Sequence, residues 1–264
     1  MNQRTAAFLK EMGITPLWVP RTAAPRPGEQ EAAQEAAAPA VPPAPAVTAR
    51  APVQVPGQGQ GTSAEAGEEQ RIANMDWAEL EQAIAACTRC GACAPGTRPV
   101  MGTGSKRARW VVATGAASVQ DHKDGVPLAG EPGTLLANML AAAGHSAERD
   151  VWVTSVIKCR PSTSSGADRA PTAEEAAACR PFVEREIALT GAATLLTLGQ
   201  VAANAMLGQP LAQPLAQARG QLHETAGVRM VATLHPAELL RRGQDKALAW
   251  ADLCLASSDG QPAR

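Results

Sequence analysis

The chain has 264 residues with 21 Pro and 23 Gly, yet only 5 Trp, 2 Phe and no Tyr, and a formal net charge of −1. So little aromatic bulk does not fill a core of that length, and one domain of about 150–200 residues beside an unfolded tract is expected. Balanced charge excludes a bulk pull toward nucleic acid, no apolar run reaches the roughly 18 residues of a membrane span, and no apolar segment precedes a cleavage site, so the expected compartment is the cytoplasm.

In chain order, residues 1–21 form a first unit. Phe8, Leu9, Met12, Ile14 and Trp18 crowd into eleven positions. Phe8, Leu9 and Met12 recur at helical spacing, and Gly13 closes the turn. Such a segment is too small for a core of its own, and it reads as a peptide that anchors in a partner's groove. Residues 22–74 are mostly Ala, Pro, Gln, Gly and Glu. They offer almost nothing to bury against their ordering entropy, so a disordered Pro/Ala-rich linker is expected, spanning about 40 Å as a coil.

The folded part is expected over residues 75–257, with a short tail at 258–264. Asp76-Trp-Ala-Glu79 is a capping-box pattern, and Trp77, Leu80 and Ile84 fall on one face of the helix that follows. Strands are then expected at 110–114, 151–157, 194–198 and 228–234. Helices are expected at 134–143, 172–189, 200–207 and 237–255. This alternation predicts an α/β fold with a central, mostly parallel sheet covered on both faces. Sites in such sheets form beyond the strands' carboxyl ends. That points to the loops after Thr114, Ile157, Leu198 and Leu234.

Six cysteines are present: Cys87, Cys90, Cys93, Cys159, Cys179 and Cys254. In a chain expected to be cytoplasmic, Cys-x-x-Cys favours metal over disulfides. Cys87 and Cys90 supply two thiolates from one turn. Cys159 follows a strand, and Cys179 lies in the next helix. Four thiolates from two places suit either a [4Fe–4S] cluster or a four-thiolate zinc site, and spacing does not choose between them. Cys93 extends the first motif and is a competing third ligand there. Cys254, at the last helix's apolar positions, is expected as a small core residue.

The motifs Cys87-x-x-Cys90, Gly125-x-Pro127-x-x-Gly130-x-x-Gly133, Val156-x-Lys158-Cys159-Arg160-Pro161, Arg169-x-Pro171-x-x-x-Glu175-x-x-x-Cys179, Leu198-Gly199, Arg219-Gly220 and His235-Pro236-x-x-Leu239-Leu240-Arg241 occur in this order. Over about residues 84–254 the chain thereby resembles the iron–sulfur (family 4 type) uracil-DNA glycosylases. The resemblance implies a three-layer glycosylase-like fold and a [4Fe–4S] cluster on Cys87, Cys90, Cys159 and Cys179, with zinc as the lesser alternative. The 159–179 interval looks longer than is usual there, with the extra residues around 162–168. The family flips uracil from DNA and cleaves its bond to the sugar, so DNA is an implied partner.

Carried over residue by residue, the catalytic set is incomplete. The acidic water-positioning residue is replaced by Thr114 or its neighbour Gly115, leaving Asp121 nearby as a substitute. The stacking Phe is Leu128, and the base-reading Asn is Ser155. Only His235, which would stabilise the departing base, is kept. The body is therefore expected to have weak, altered or no activity.

Residues 9–21 also resemble the N-terminal peptide of the clamp-loader psi subunit of bacterial DNA polymerase III. That resemblance implies docking on the chi subunit through Phe8, Leu9, Met12, Ile14 and Trp18. The leading expectation is a non-catalytic, psi-like adaptor of the clamp loader. The alternative is a DNA glycosylase that excises uracil or another deaminated base through His235, with Asp121 or Thr114 positioning water.

Overall fold

The computed structural model describes residues 63–92 and 98–257. The peptide at 1–21, most of the expected linker, Cys93 and the tail at 258–264 lie outside the described residues.

The expected linker ends earlier than composition indicates. Helix α1, Ser63–Asn74, occupies its last twelve residues. Ala, Glu, Gln and Arg are good helix formers, and one apolar residue suffices to dock them. Ile72 is buried beside Leu80, Ile84 and Phe182. Arg89 adds weak charge pairs to Glu68 at 3.7 Å and Glu69 at 3.9 Å. Helix α2, Trp77–Ala85, starts at the expected capping box. The Glu79 amide donates to Asp76 Oδ1 and the Asp76 amide to Glu79 Oε2, each at 2.9 Å.

Among the described residues the sheet has six strands: β1 (Thr103–Gly104), β2 (Trp110–Ala116), β3 (Val151–Ile157), β4 (Thr194–Leu198), β5 (Leu222–Thr225) and β6 (Val228–Thr233). Their order is β1-β3-β2-β4-β6-β5. The inner four run parallel, and the two edge strands run antiparallel to their neighbours. Strands β2, β3 and β4 are buried almost throughout, as continuous apolar runs in a doubly covered parallel sheet should be.

Between the strands lie α3 (Val119–Asp124), α4 (Glu131–Ala142), α5 (Ala173–Thr190), α6 (Gly199–Leu207), α7 (Leu215–Ala218), α8 (Pro236–Arg241) and α9 (Lys246–Ser257). On one face Val111, Ala113 and Val156 meet Val183 and Ile187 of α5 and Ala202 and Met206 of α6. On the other, Val112, Val153, Leu196 and Val231 meet Leu136 and Leu140 of α4 and Leu253 of α9. Each such side chain, fully buried, contributes about 1.5–3 kcal/mol of transfer free energy. The expected three-layer α/β architecture is what these faces make.

Two expectations are corrected here. The single helix expected over 237–255 is two helices, because Arg242 leaves the helical region (φ −123°, ψ 72°) and a 3-10 turn, Gly243–Asp245, intervenes. On α9 the buried stripe is Ala249, Asp252, Leu253 and Ala256, so Cys254 falls outside it and is exposed instead of in the core.

Candidate functional site

The chain leaves β2 toward α3 and α4 on one face and leaves β4 toward α6 on the other. The carboxyl ends of β2 and β4 are therefore the topological switch point, where a crevice is expected. Thr114 stands at its centre. It is the register partner of Ser155 on β3 and of Leu198 on β4, and Leu198 in turn pairs with Thr233 on β6.

His235 follows β6 by two residues and caps α8, its Nδ1 accepting the Ala237 amide at 3.1 Å. Its Nε2 lies 3.0 Å from Thr114 Oγ1. To reach Thr114 the histidine passes Gly199. A Cβ on Gly199 would stand 3.4 Å from His235 Cβ, and the backbone there has φ +85°, a conformation that glycine adopts without penalty. Burial holds the His235 pKa below its ordinary value and Arg241 adds to that, while the charges of Glu238 and Asp121 oppose it. A neutral ring whose Nδ1 accepts an amide must carry its proton on Nε2. The geometry thus yields an N–H donor held over the switch point, resting on the Thr114 hydroxyl.

The other residues expected at the site divide. The Ser155 hydroxyl is fully buried and has no hydrogen-bond partner among the described residues. It lies beside Thr114 in register and on the same sheet face. Leu128 is buried on that face too, packed in the cluster that holds Val112 and Leu198. Its φ of 56° is a strained conformation for leucine. The fit is close: a Cβ on Gly133 would stand 2.0 Å from the Leu128 carbonyl oxygen.

Gly115 belongs to the opposite face, since a Cβ there would meet Val201 of α6 at 3.0 Å. Asp121 is buried, and both of its oxygens are engaged. Oδ2 accepts the Ser118 amide at 2.9 Å, closing a capping box, and Oδ1 accepts the Ala129 amide at 2.6 Å. Asp121 therefore pins the loop that carries Leu128, and only its charge reaches His235.

One support was not legible in the sequence. Asp252 of α9 is fully buried, accepts the Thr233 hydroxyl at 2.8 Å and pairs with Arg219 at 2.7 Å. It anchors the end of β6 two residues before His235. Arg219 belongs to a motif of the sequence, but its partner lies 33 residues away.

The cysteines gather beyond β3, on the α5 face. Cys159 and Cys179 are buried in one core cluster, with Cys90 packed against it. Burial pushes the Cys179 thiol up to about 12. Charge on Cys90 and Cys87 pushes the same way, against the Lys158 amide and the Lys158 ammonium. Cys179 is thus near enough to Cys90 and Cys87 for thiolates there to repel one on it. This donor set fits a cationic iron–sulfur centre, whose positive charge offsets that repulsion. Among the described residues no three His, Cys, Asp or Glu side chains are gathered as a single metal ion requires.

The start of α5 is fastened beside these residues. Glu175 accepts from Arg169 Nη1 at 2.9 Å, from Nη2, and from the Thr172 amide at 2.9 Å. Arg169 holds the Glu175 carboxyl below the usual carboxylate range. A Cβ on Gly91 would lie 3.7 Å from Glu175 Oε1, so this pair abuts the Cys87–Cys90 turn. The longer 159–179 interval forms an ordered excursion, closed by a bridge between Ser162 and Asp168 and by Arg160 on Asp168.

Comparison with known proteins adds the following. The family model described as "Uracil DNA glycosylase superfamily" matches residues 101–254. The chain is 29% identical over 174 residues to the type-4 uracil-DNA glycosylase of Pyrobaculum aerophilum, covering 64% of this chain and 86% of that one. It is 30% identical to the type-4 enzyme of Archaeoglobus fulgidus over 172 residues, covering 63% and 84%. For the type-4 enzyme of Thermotoga maritima the identity is 30% over 164 residues, covering 61% and 82%.

Proposed function

The chain belongs to the uracil DNA glycosylase superfamily, and on that footing we propose that it is a DNA glycosylase that hydrolyses the N-glycosidic bond of uracil or another deaminated base. The observation that carries this reading is the His235–Thr114 contact at the switch point. A neutral histidine whose Nε2–H is held ready is the donor needed as charge develops on the departing base. The bond between base and sugar breaks, water adds to the sugar carbon and loses a proton, and the base leaves carrying the electron pair. His235 donates a hydrogen bond to the base carbonyl that receives that charge.

Thr114 takes the place expected of an acidic residue. At rest its oxygen accepts from His235; once that N–H turns to the base carbonyl, the hydroxyl is released to orient the attacking water. Ser155 supplies one rotatable hydroxyl where an amide would make two fixed contacts, so discrimination between bases is expected to be looser. Leu128 gives the flipped base an aliphatic surface. Asp121 acts through the loop that it pins and through its charge on His235. The cluster, held by Cys87, Cys90, Cys159 and Cys179, would tie α2 to β3 and α5.

The non-catalytic adaptor reading rests on the incomplete catalytic set, on the tether, and on the peptide at residues 1–21, which lies outside the described residues. The type-4 relatives favour the enzyme. Strand cleavage after alkali on duplexes carrying uracil, hypoxanthine or xanthine tests the proposal. Release of at least one base, lost by a factor of about 10²–10³ in His235→Ala, is the expected result. Absence of release from every duplex, together with chi-subunit capture that is lost on deleting residues 1–21, would return the adaptor reading.

A further inference from the structure

A buried ion pair joins the strand and the helix that lead to two of the proposed cluster ligands. Lys158 and Glu186 are each only 2% exposed at the side chain, with Nζ 2.7 Å from Oε2. Thr154 completes the group, donating to the same Glu186 oxygen at 2.9 Å and accepting from Lys158. The pair does not touch His235 or Thr114, and nothing in the glycosylase reading uses it.

Its placement follows from two periodicities. On α5, Cys179, Val183 and Glu186 lie at i, i+4 and i+7, one stripe facing β3. In the chain, Lys158 immediately precedes Cys159. Lys158 is therefore joined to both ligands, by the peptide bond to Cys159 and by its backbone amide, which bonds Cys179. A buried ion pair is a costly fastener. Desolvation offsets most of the attraction, and apolar replacements of like shape often hold a fold as well or better. Pinning α5 to β3 does not require charges here, because Val183, Ile187 and Val156 already pack that seam. What an apolar fastener does not supply is positive charge beside thiolates that repel one another.

We infer that Lys158, held in place by Glu186 and Thr154, is a positioning residue for the cysteine centre, whose charge governs how firmly a cluster is retained and at what potential it changes oxidation state. This rests on the assignment of Cys87, Cys90, Cys159 and Cys179 as cluster ligands. A cluster ligated by four thiolates is anionic overall, so a nearby ammonium favours its retention and favours its reduced form. Glu186 opposes that effect and also fixes where the ammonium stands.

The test uses full-length protein purified without oxygen. Two readouts are followed: the decay of visible absorbance under a chelator, and the midpoint potential. The wild type should be brown, and a colourless wild type would sink the cluster assignment itself. The variant Lys158→Met/Glu186→Gln removes both charges and leaves neither one orphaned. It should lose its cluster about tenfold faster or more, with a lowered potential, while Lys158→Arg should keep both values near the wild type. A brown double variant with unchanged decay and potential would overturn the inference and leave the cluster assignment standing. If the double variant does not fold, Lys158→Gln, which keeps a donor for Glu186, decides. Whether Glu186 stays charged or takes up a proton, the potential should fall, and an unchanged or raised potential would overturn the inference.

Discussion

Replacing Thr114 by Val keeps the shape of the side chain and removes only the oxygen on which His235 rests. The ring is half-buried, its Nδ1 is already committed to the Ala237 amide, and its Nε2 contact is Thr114 at 3.0 Å. The substitution therefore takes the protein acceptor from a half-buried N–H donor, at a cost of about 1 kcal/mol. For a folded part of this size that is a fall of about 2–4 °C in Tm. Urea melts of wild type, Thr114→Val, His235→Ala and the double variant close a cycle that isolates the pair, and a coupling of about 1 kcal/mol is expected. The same variant should slow base excision, because the hydroxyl that orients water is gone. A Thr114→Val protein within about 0.5 kcal/mol of wild type, with no coupling in the cycle, would refute the view that His235 presents a neutral Nε2–H.

Three further outcomes are expected. The pKa of His235 is lowered in the fold, so the unfolded chain takes up the proton first. Stability from this group is complete above the ordinary histidine range and falls as pH drops through that range toward the lowered value, and denaturant titrations of wild type against His235→Ala should show the gap narrowing on acidification. The lowered pKa of Glu175 has the matching sense for a carboxylate. Glu175→Gln should destabilise at neutral pH and approach wild type as pH falls below the usual carboxylate range, as followed by thermal melts at stepped pH. Cys159→Ser should yield protein that is colourless and less stable, since ligand loss and folding are coupled, whereas Cys254→Ser, at an exposed position, should change neither colour nor Tm.

Much of the sheet was legible because its strands are short apolar runs separated by helical periods, and burial on both faces leaves few other solutions. The elements that were missed have identifiable causes. Helix α1 holds one large buried residue, Ile72, and its docking is a tertiary effect invisible to composition. Strands β1 and β5 are too short to show a period. At the site, the kinds of residue were readable from motif order, but their pairings were not. Thr114 and His235 are 121 positions apart, and Lys158 and Glu186 are 28 apart. No local pattern carries such contacts. The engagement of Asp121 was half visible, since Ser118-x-x-Asp121 has a capping spacing, but the Ala129 amide that claims its second oxygen depends on how the loop turns at Leu128.

The edge strands carry a consequence for association. A parallel sheet with long open margins is a template on which another chain can add strands. Here the margin at β1 is two residues long and that at β5 is four, each reversed relative to the four strands inside. Little ladder is left for a foreign strand to extend. Assembly of this fold with itself or with other proteins would thus fall to its helical surfaces, and the sheet is protected from the edge-to-edge growth that leads to aggregates.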